Sequence, residues 1–81
     1  MDSKTSVFSV KNIRQELILL TLNEIMNSLD DAGYDSTNQL IGFLMTNDPT
    51  YITSYENARK KIKKFDRSEI LMAIINGYRG K

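Results

Sequence analysis

The fold is decided by residues 13–32, which read IRQELILLTLNEIMNSLDDA. This stretch contains no glycine or proline, and residues of high helix propensity dominate it. At about 100° per residue, one face of a helix collects five apolar side chains. They are Ile18, Leu22, Ile25, Met26 and Leu29. The sequence therefore predicts a long helix from about Ile13 to Ala32, followed by a left-handed cap at Gly33.

A second apolar face runs along the first half of the same helix. Ile13, Leu17 and Leu20 lie nearly opposite the first stripe. A helix that is apolar on two faces must bury both, against other helices or against another protomer. Gly42, in the next predicted helix, is a residue type that permits close approach of another backbone. The candidate interface residues of a homodimer are therefore Leu17, Leu20, Gly42 and Phe43.

Three further helices are predicted downstream. The second spans about Thr37 to Thr46, after an N-cap at Asp35 or Ser36, and Pro49 disfavours its continuation. A third spans about Ser54 to Phe65. A fourth, ending near Tyr78, begins at a capping box formed by residues 66–69, sequence DRSE. The fold class is all-α, a compact bundle of about four helices.

The N-terminal residues differ in composition from this bundle. Residues 1–12 are rich in hydroxyl side chains, and chain ends of this kind are usually poorly ordered unless pinned. We predict a flexible N-terminal arm over residues 1–12 and a single helical domain over residues 13–81. The arm's hydroxyl-bearing residues are Ser3, Thr5, Ser6 and Ser9.

Composition argues against most kinds of catalysis. The 81 residues include no cysteine and no histidine, which removes thiolate nucleophiles, the commonest general base and the commonest metal ligands. We expect no enzyme activity, no metal and no cofactor. No apolar run reaches the roughly 18 residues of a membrane span, and the N-terminus does not resemble a signal peptide. The expected location is the cytoplasm, without membrane insertion.

Charge is unevenly placed along the chain. Residues 1–54 carry three basic and seven acidic side chains, whereas residues 55–81 carry eight basic and three acidic ones. Five cations fall within residues 59–64, and we single out Arg59, Lys60, Lys63 and Lys64 as candidates for binding an anion or a partner. The alternatives are a solvated helix face, pairing with acidic residues of helix one, or nucleic-acid binding. The sequence pI of about 8.0 is low for a dedicated nucleic-acid binder.

Four polar residues allow two interpretations: Asn38, Gln39, Asp48 and Arg59. They could form a binding site, or they could brace helix ends and turns. The structural role is favoured for Asn38 and Asp48, because Asn and Asp at helix ends usually satisfy backbone groups. Arg59 could hold Asp48 in an ion pair.

An ordered set of short motifs resembles the IreB family of small regulatory phosphoproteins from Gram-positive bacteria. Order and spacing agree across residues 33–70. The matching segments are Gly33-Tyr34, Asn38-Gln39-Leu40-Ile41-Gly42-Phe43, Asn47-Asp48-Pro49-Thr50-Tyr51-Ile52, Asn57-Ala58-Arg59, Ile62-Lys63-Lys64 and Arg67-Ser68-Glu69-Ile70. The turn after Tyr34 and the tail after Leu71 depart from the family pattern.

The resemblance implies a cytoplasmic homodimer that regulates without catalysing. Members of this family are substrates of membrane-bound Ser/Thr kinases with PASTA domains, and they restrain cephalosporin resistance. The implied partners are that kinase, its cognate phosphatase and an unknown downstream protein. Thr5 matches the family's phosphate acceptor and Phe8 its phenylalanine, although Val7 stands where the family has arginine. Ser3, Ser6 and Ser9 are the fallback acceptors.

Overall fold

The computed structural model describes the backbone of residues 2–80 and the side chains of residues 13–80. Over that backbone the protein consists of four α-helices and two single 3₁₀ turns, without a strand. The helices are α1 (Asp2–Asp31), α2 (Ser36–Thr46), α3 (Ala58–Ile62) and α4 (Arg67–Tyr78), and the 3₁₀ turns are Pro49–Tyr51 and Tyr55–Asn57. This confirms the all-α fold class. None of these helices is long and apolar enough to cross a membrane.

Helix α1 ends as predicted but begins earlier. Gly33 has a φ of +90°, and the Tyr34 amide donates to the Leu29 carbonyl at 2.9 Å, as in a Schellman cap. At the other end, α1 starts at Asp2, whereas the sequence pattern predicted about Ile13. The side chains of residues 1–12 lie outside the described part, so the flexible arm stays a prediction.

Helix α2 begins at the predicted cap. The Asp35 carboxylate accepts from the Asn38 amide at 3.2 Å, which satisfies one of the free N–H groups of the first turn. Asn47 ends the helix in a left-handed conformation, and its amide donates to the Phe43 carbonyl at 2.7 Å. Pro49 then starts a 3₁₀ turn that brings Tyr51 against α2.

The prediction of one continuous third helix from Ser54 to Phe65 is wrong. Glu56 and Asn57 both have positive φ, 49° and 63°, so the chain forms a 3₁₀ turn and then the short helix α3. The Glu56 carboxylate accepts from the Ser28 hydroxyl at 2.6 Å, which ties the break to α1. Asn is a residue type that tolerates this conformation better than most.

One core joins the four helices. Four of the five residues of the predicted α1 stripe are buried, and Met26 is half-buried. Helix α4 supplies Ile70 and Ala73 and makes the most extensive packing with α1. The full set of buried apolar residues is Ile18, Leu22, Ile25, Leu29, Phe43, Ile52, Ala58, Ile62, Phe65, Ile70 and Ala73.

Candidate functional site

The cations of residues 59–64 do not form one uniform surface. Arg59 is half-buried, and its Nε donates to the Ile52 carbonyl at 2.9 Å. Lys61 reaches α1, where its Nζ lies 2.8 Å from a carboxylate oxygen of Glu24. Both side chains therefore hold the fold together. The sequence interpretation that acidic residues of the first helix pair with this basic segment is confirmed for Glu24.

The other three cations face solvent. Lys60, Lys63 and Lys64 are exposed, and within residues 13–80 none of them has a carboxylate in ion-pair range. Lys64 lines the cleft between α1 and α3, and Lys63 lines a different depression beside the start of α4. Lys60 lines neither. The anion-binding prediction therefore narrows from four residues to these three lysines.

The α1–α3 cleft is a concavity with cationic side chains in its lining. Its volume is about 310 Å³. It is lined by Arg14, Leu17, Thr21, Glu24, Lys61, Lys64 and Phe65. Arg14 and Lys61 are each paired with a carboxylate, so Lys64 is the cation of this lining that faces an anionic occupant without a partner within residues 13–80. The exposed Leu17 gives the cleft an apolar wall.

Two contacts orient Arg14, which lines this cleft. Its Nε and Nη2 donate to the two carboxylate oxygens of Glu69, each at 3.1 Å, a bidentate arrangement. Its guanidinium also lies 5.3 Å from the centroid of the Phe65 ring. The hydrogen bond from Arg14, together with one from the Asp66 amide, holds the pKa of Glu69 below its ordinary value.

The polar residues of the central motifs have structural partners. The Asn38 side-chain amide donates to Asp35 at 2.6 Å, and the Gln39 carbonyl oxygen accepts from the Thr53 amide at 3.0 Å. Asp48 accepts from the Thr50 hydroxyl and amide, which lowers the pKa of Asp48, with a smaller contribution from the charge of Arg59. The structural interpretation is confirmed, but Asp48 caps a turn and makes no direct ion pair with Arg59.

The four predicted interface residues fall into two groups. Leu17 and Leu20 are exposed, 49% and 64% respectively, and remain candidates. Phe43 is 4% exposed in the protomer's own core, and Gly42 is covered by the Tyr51 ring. Phe43 is therefore buried in the protomer's core, and Gly42 is covered because the 3₁₀ turn Pro49–Tyr51 places the Tyr51 ring against it.

The predicted phosphate acceptors Thr5, Ser3, Ser6 and Ser9 lie outside the described side chains. The structure adds an unpredicted feature, a second exposed apolar face on α4 formed by Leu71, Met72, Ile75 and Tyr78. A sequence signal existed, since residues 70–75 are apolar at every position, so one buried face cannot hold them all.

Within the described residues, no group of three or more acidic side chains is placed to hold a metal ion. The geometry offers binding surfaces: three solvent-facing lysines, a cationic cleft and two exposed apolar faces. A family model for the IreB regulatory phosphoprotein matches residues 3–79, nearly the whole chain. The chain belongs to the IreB family of regulatory phosphoproteins.

Proposed function

We propose that this protein is a non-enzymatic, homodimeric regulator switched by phosphorylation of its N-terminal arm at Thr5. Family membership supports a regulatory role and a phosphorylated state. The observation that carries the switch is the set of solvent-facing lysines, Lys60, Lys63 and Lys64, which have no carboxylate partner within residues 13–80. A surface of this kind attracts a phosphate, which adds about −1.5 to −2 charges near neutral pH.

The mechanism follows from this charge pattern. Phosphorylated Thr5 docks at these solvent-facing lysines, in the same chain or across the dimer, and so changes how the arm packs. The cleft between α1 and α3 supports this proposal, because it combines cations with the apolar wall that Leu17 provides. The cations of the cleft suit a phosphate on Thr5. The apolar wall suits the ring of Phe8, three residues further along the chain.

The upstream partner is a membrane-bound Ser/Thr kinase with PASTA domains, opposed by a phosphatase. The downstream partner is a protein whose binding depends on arm position. The pathway is the response to cell-envelope stress, including resistance to cephalosporins. These assignments rest on the family resemblance.

The switch is tested with three full-length proteins: wild type, Thr5→Ala and Thr5→Glu. We expect the kinase to label wild type and to label Thr5→Ala much more weakly. We also expect the alanine and glutamate proteins to differ in partner capture from lysate and in cephalosporin susceptibility of complemented cells. Identical behaviour of the two variants in both assays would mean that Thr5 is not the switch.

The nucleic-acid alternative finds less support. Arg59 and Lys61 are engaged by Ile52 and Glu24, so two of the five cations of residues 59–64 are committed to the fold. Helix α3 has only five residues, too short to track a groove as a continuous recognition helix. Phosphate contacts to nucleic acid would also predict binding that falls steeply with salt.

A further inference from the structure

Arg14 has hydrogen-bond donors that its pair with Glu69 does not use. A guanidinium carries five N–H donors arranged in a planar fork. Glu69 accepts from Nε and from Nη2, each at 3.1 Å, which leaves both N–H groups of Nη1 and the second one of Nη2. Within residues 13–80 these remaining donors have no partner, and the Arg14 side chain is 50% exposed. The far edge of the guanidinium is therefore open to a second anion.

The guanidinium of Arg14 is held in place before any such anion arrives. Glu69 fixes one edge of its plane, and the Phe65 ring lies 5.3 Å from its carbon. A side chain that is already oriented loses less conformational freedom when it binds a ligand. This orientation makes the free edge of Arg14 a better anion receptor than a mobile surface lysine.

Lys64 adds a second cation at the same end of the cleft. It precedes Phe65, over which the Arg14 guanidinium lies, and all three side chains line the α1–α3 cleft. Across residues 13–80, Lys64 has no carboxylate in ion-pair range. The two carboxylates closest to these cations, Glu24 and Glu69, are each paired with a cation already. An anion at this end of the cleft thus meets an oriented fork of donors and a free ammonium group.

We propose that Arg14 and Lys64 form a binding site for a phosphate monoester, the phosphothreonine of the N-terminal arm. Arg14 donates from its unused Nη1 and Nη2 groups to two phosphate oxygens, because the guanidinium fork matches phosphate geometry. Lys64 supplies a point charge to the same phosphate. The occupant rests on the phosphorylation of Thr5 proposed above, and Arg14 joins the lysines as a phosphate ligand.

The depression beside the start of α4 is the rival site for the same phosphate. Lys63 and Arg67 line it, but so does Asp66, whose carboxylate has no cation in ion-pair range in the described part of the chain. Arg67 also uses Nη1 to donate to the Leu44 carbonyl at 3.2 Å. A phosphate there would face an unpaired negative charge, so the α1–α3 cleft is the better match.

A titration of the unphosphorylated full-length chain with N-acetyl-phosphothreonine N-methylamide tests the site by NMR. We expect a saturable shift of the Arg14 Nε–H signal and of the backbone amides of residues 61–65. The same compound without its phosphate should cause no shift. Shifts centred on Lys63 and Arg67, or no saturable shift, would overturn the site.

Four variants separate a phosphate ligand from a residue that only supports the fold. Arg14→Gln should raise the dissociation constant of the probe about tenfold, because hydrogen bonds from a charged donor are lost. Arg14→Lys should recover part of the affinity, since it keeps the charge but not the fork. Lys64→Gln should also weaken binding and leaves the Arg14–Glu69 pair untouched, whereas Lys60→Gln is the matched control outside the cleft and should change little. Equal dissociation constants for wild type, Arg14→Gln and Lys64→Gln would contradict the assignment.

The same titration of the chain phosphorylated on Thr5 identifies the occupant. If the phosphate of the arm fills the site, the probe should bind much more weakly to this form, and the Arg14 Nε–H signal should already be shifted without it. A probe that binds at Arg14 equally well in both forms would overturn the arm as the ligand. That result would also remove the docking step of the proposed switch, while failure of the probe to bind the unphosphorylated chain would overturn the Arg14 site alone.

Discussion

At the scale of single residues, the Tyr51 ring packs so closely against Gly42 that it leaves little room for a side chain. A Cβ atom placed on Gly42 would lie 2.5 Å from Cδ1 of the Tyr51 ring, so the ring would have to move. Such overpacking costs about 1–3 kcal/mol, whereas alanine gains about 1 kcal/mol in helix propensity. We predict that Gly42→Ala lowers the free energy of unfolding by about 1 kcal/mol in urea titrations.

A Tyr51→Ala background is the matched control, and there the effect of Gly42→Ala on the free energy of unfolding should change sign. In a Tyr51→Ala background the ring is gone, and Gly42→Ala should then stabilise the protein through helix propensity alone, by up to about 1 kcal/mol. If Gly42→Ala destabilises equally in both backgrounds, the Tyr51 contact is not what requires glycine at this position.

Glu69 gives a prediction for acid stability. Its pKa is lowered in the folded state, chiefly by the hydrogen bond from Arg14, so folding favours its ionised form. The resulting stabilisation is fully present above the unfolded pKa of about 4.3 and is lost as pH falls through the lower folded pKa. Glu69→Gln should therefore be less stable than wild type at pH 7, and the difference should shrink on acidification below about pH 4.3.

Asp48, whose pKa is also lowered, contributes equally to the acid stability of wild type and of Glu69→Gln. Its contribution therefore cancels in the stability difference between the two proteins. Arg14→Gln provides a second arm of the pH titration, because it removes the largest cause of the Glu69 shift. A stability difference that stays constant from pH 7 to pH 3 would contradict the assignment.

At the scale of elements, the break before α3 could not be predicted from the spacing of apolar residues. Residues 54–65 have helical apolar spacing at Ala58, Ile62 and Phe65, and all three are buried. Their burial would suit one continuous helix equally well. The left-handed turn at residues 56 and 57 is accompanied by a tertiary contact, that of Glu56 with Ser28.

Asn57 tests the energetics of that break. Its φ of 63° is tolerated by glycine without cost and by asparagine better than by most residues. We predict that Asn57→Ala destabilises the protein by about 1 kcal/mol and that Asn57→Gly is nearly neutral. Thermal unfolding followed by circular dichroism separates the two, and equal losses for both variants would show that the Asn57 side chain matters more than its backbone.

The remaining elements could be predicted because their signals are local. Asp35 caps α2, Glu69 closes the capping box of α4 and Gly33 ends α1. These features depend on residues close together in the chain. The burial of Phe43 and the formation of the α1–α3 cleft depend on how separate helices pack. The pattern of a single helix does not contain that information.

At the scale of the whole molecule, the three solvent-facing lysines are not equivalent. Lys64 lines the α1–α3 cleft, whereas Lys60 lies outside it. If phosphorylated Thr5 docks there, nearby cations lower the second pKa of the phosphate from about 6. We predict that Lys64→Gln raises this pKa back toward the value in a free peptide, as followed by ³¹P NMR of the phosphorylated full chain.

Lys60→Gln is the control for that measurement, because it removes the same charge outside the cleft. We expect it to change the phosphate pKa less than Lys64→Gln does. Equal shifts for the two variants would point to diffuse attraction by the basic segment rather than docking in the cleft.

Association of two copies has its own consequence for stability. A folded dimer that dissociates on unfolding gains stability with concentration by mass action. We predict that the midpoint of thermal unfolding of the wild-type chain rises with protein concentration. A midpoint that is independent of concentration for wild type would contradict a dimer that unfolds together with its protomers.

Phosphosite mapping of the native protein would show whether this regulator is switched through its N-terminal arm. Mass spectrometry would compare cells under cell-wall stress with a phosphatase-treated control. We predict a phosphate on Thr5, or on the neighbouring Ser3, Ser6 or Ser9, that disappears on phosphatase treatment. An unmodified arm under wall stress, at full peptide coverage, would contradict it.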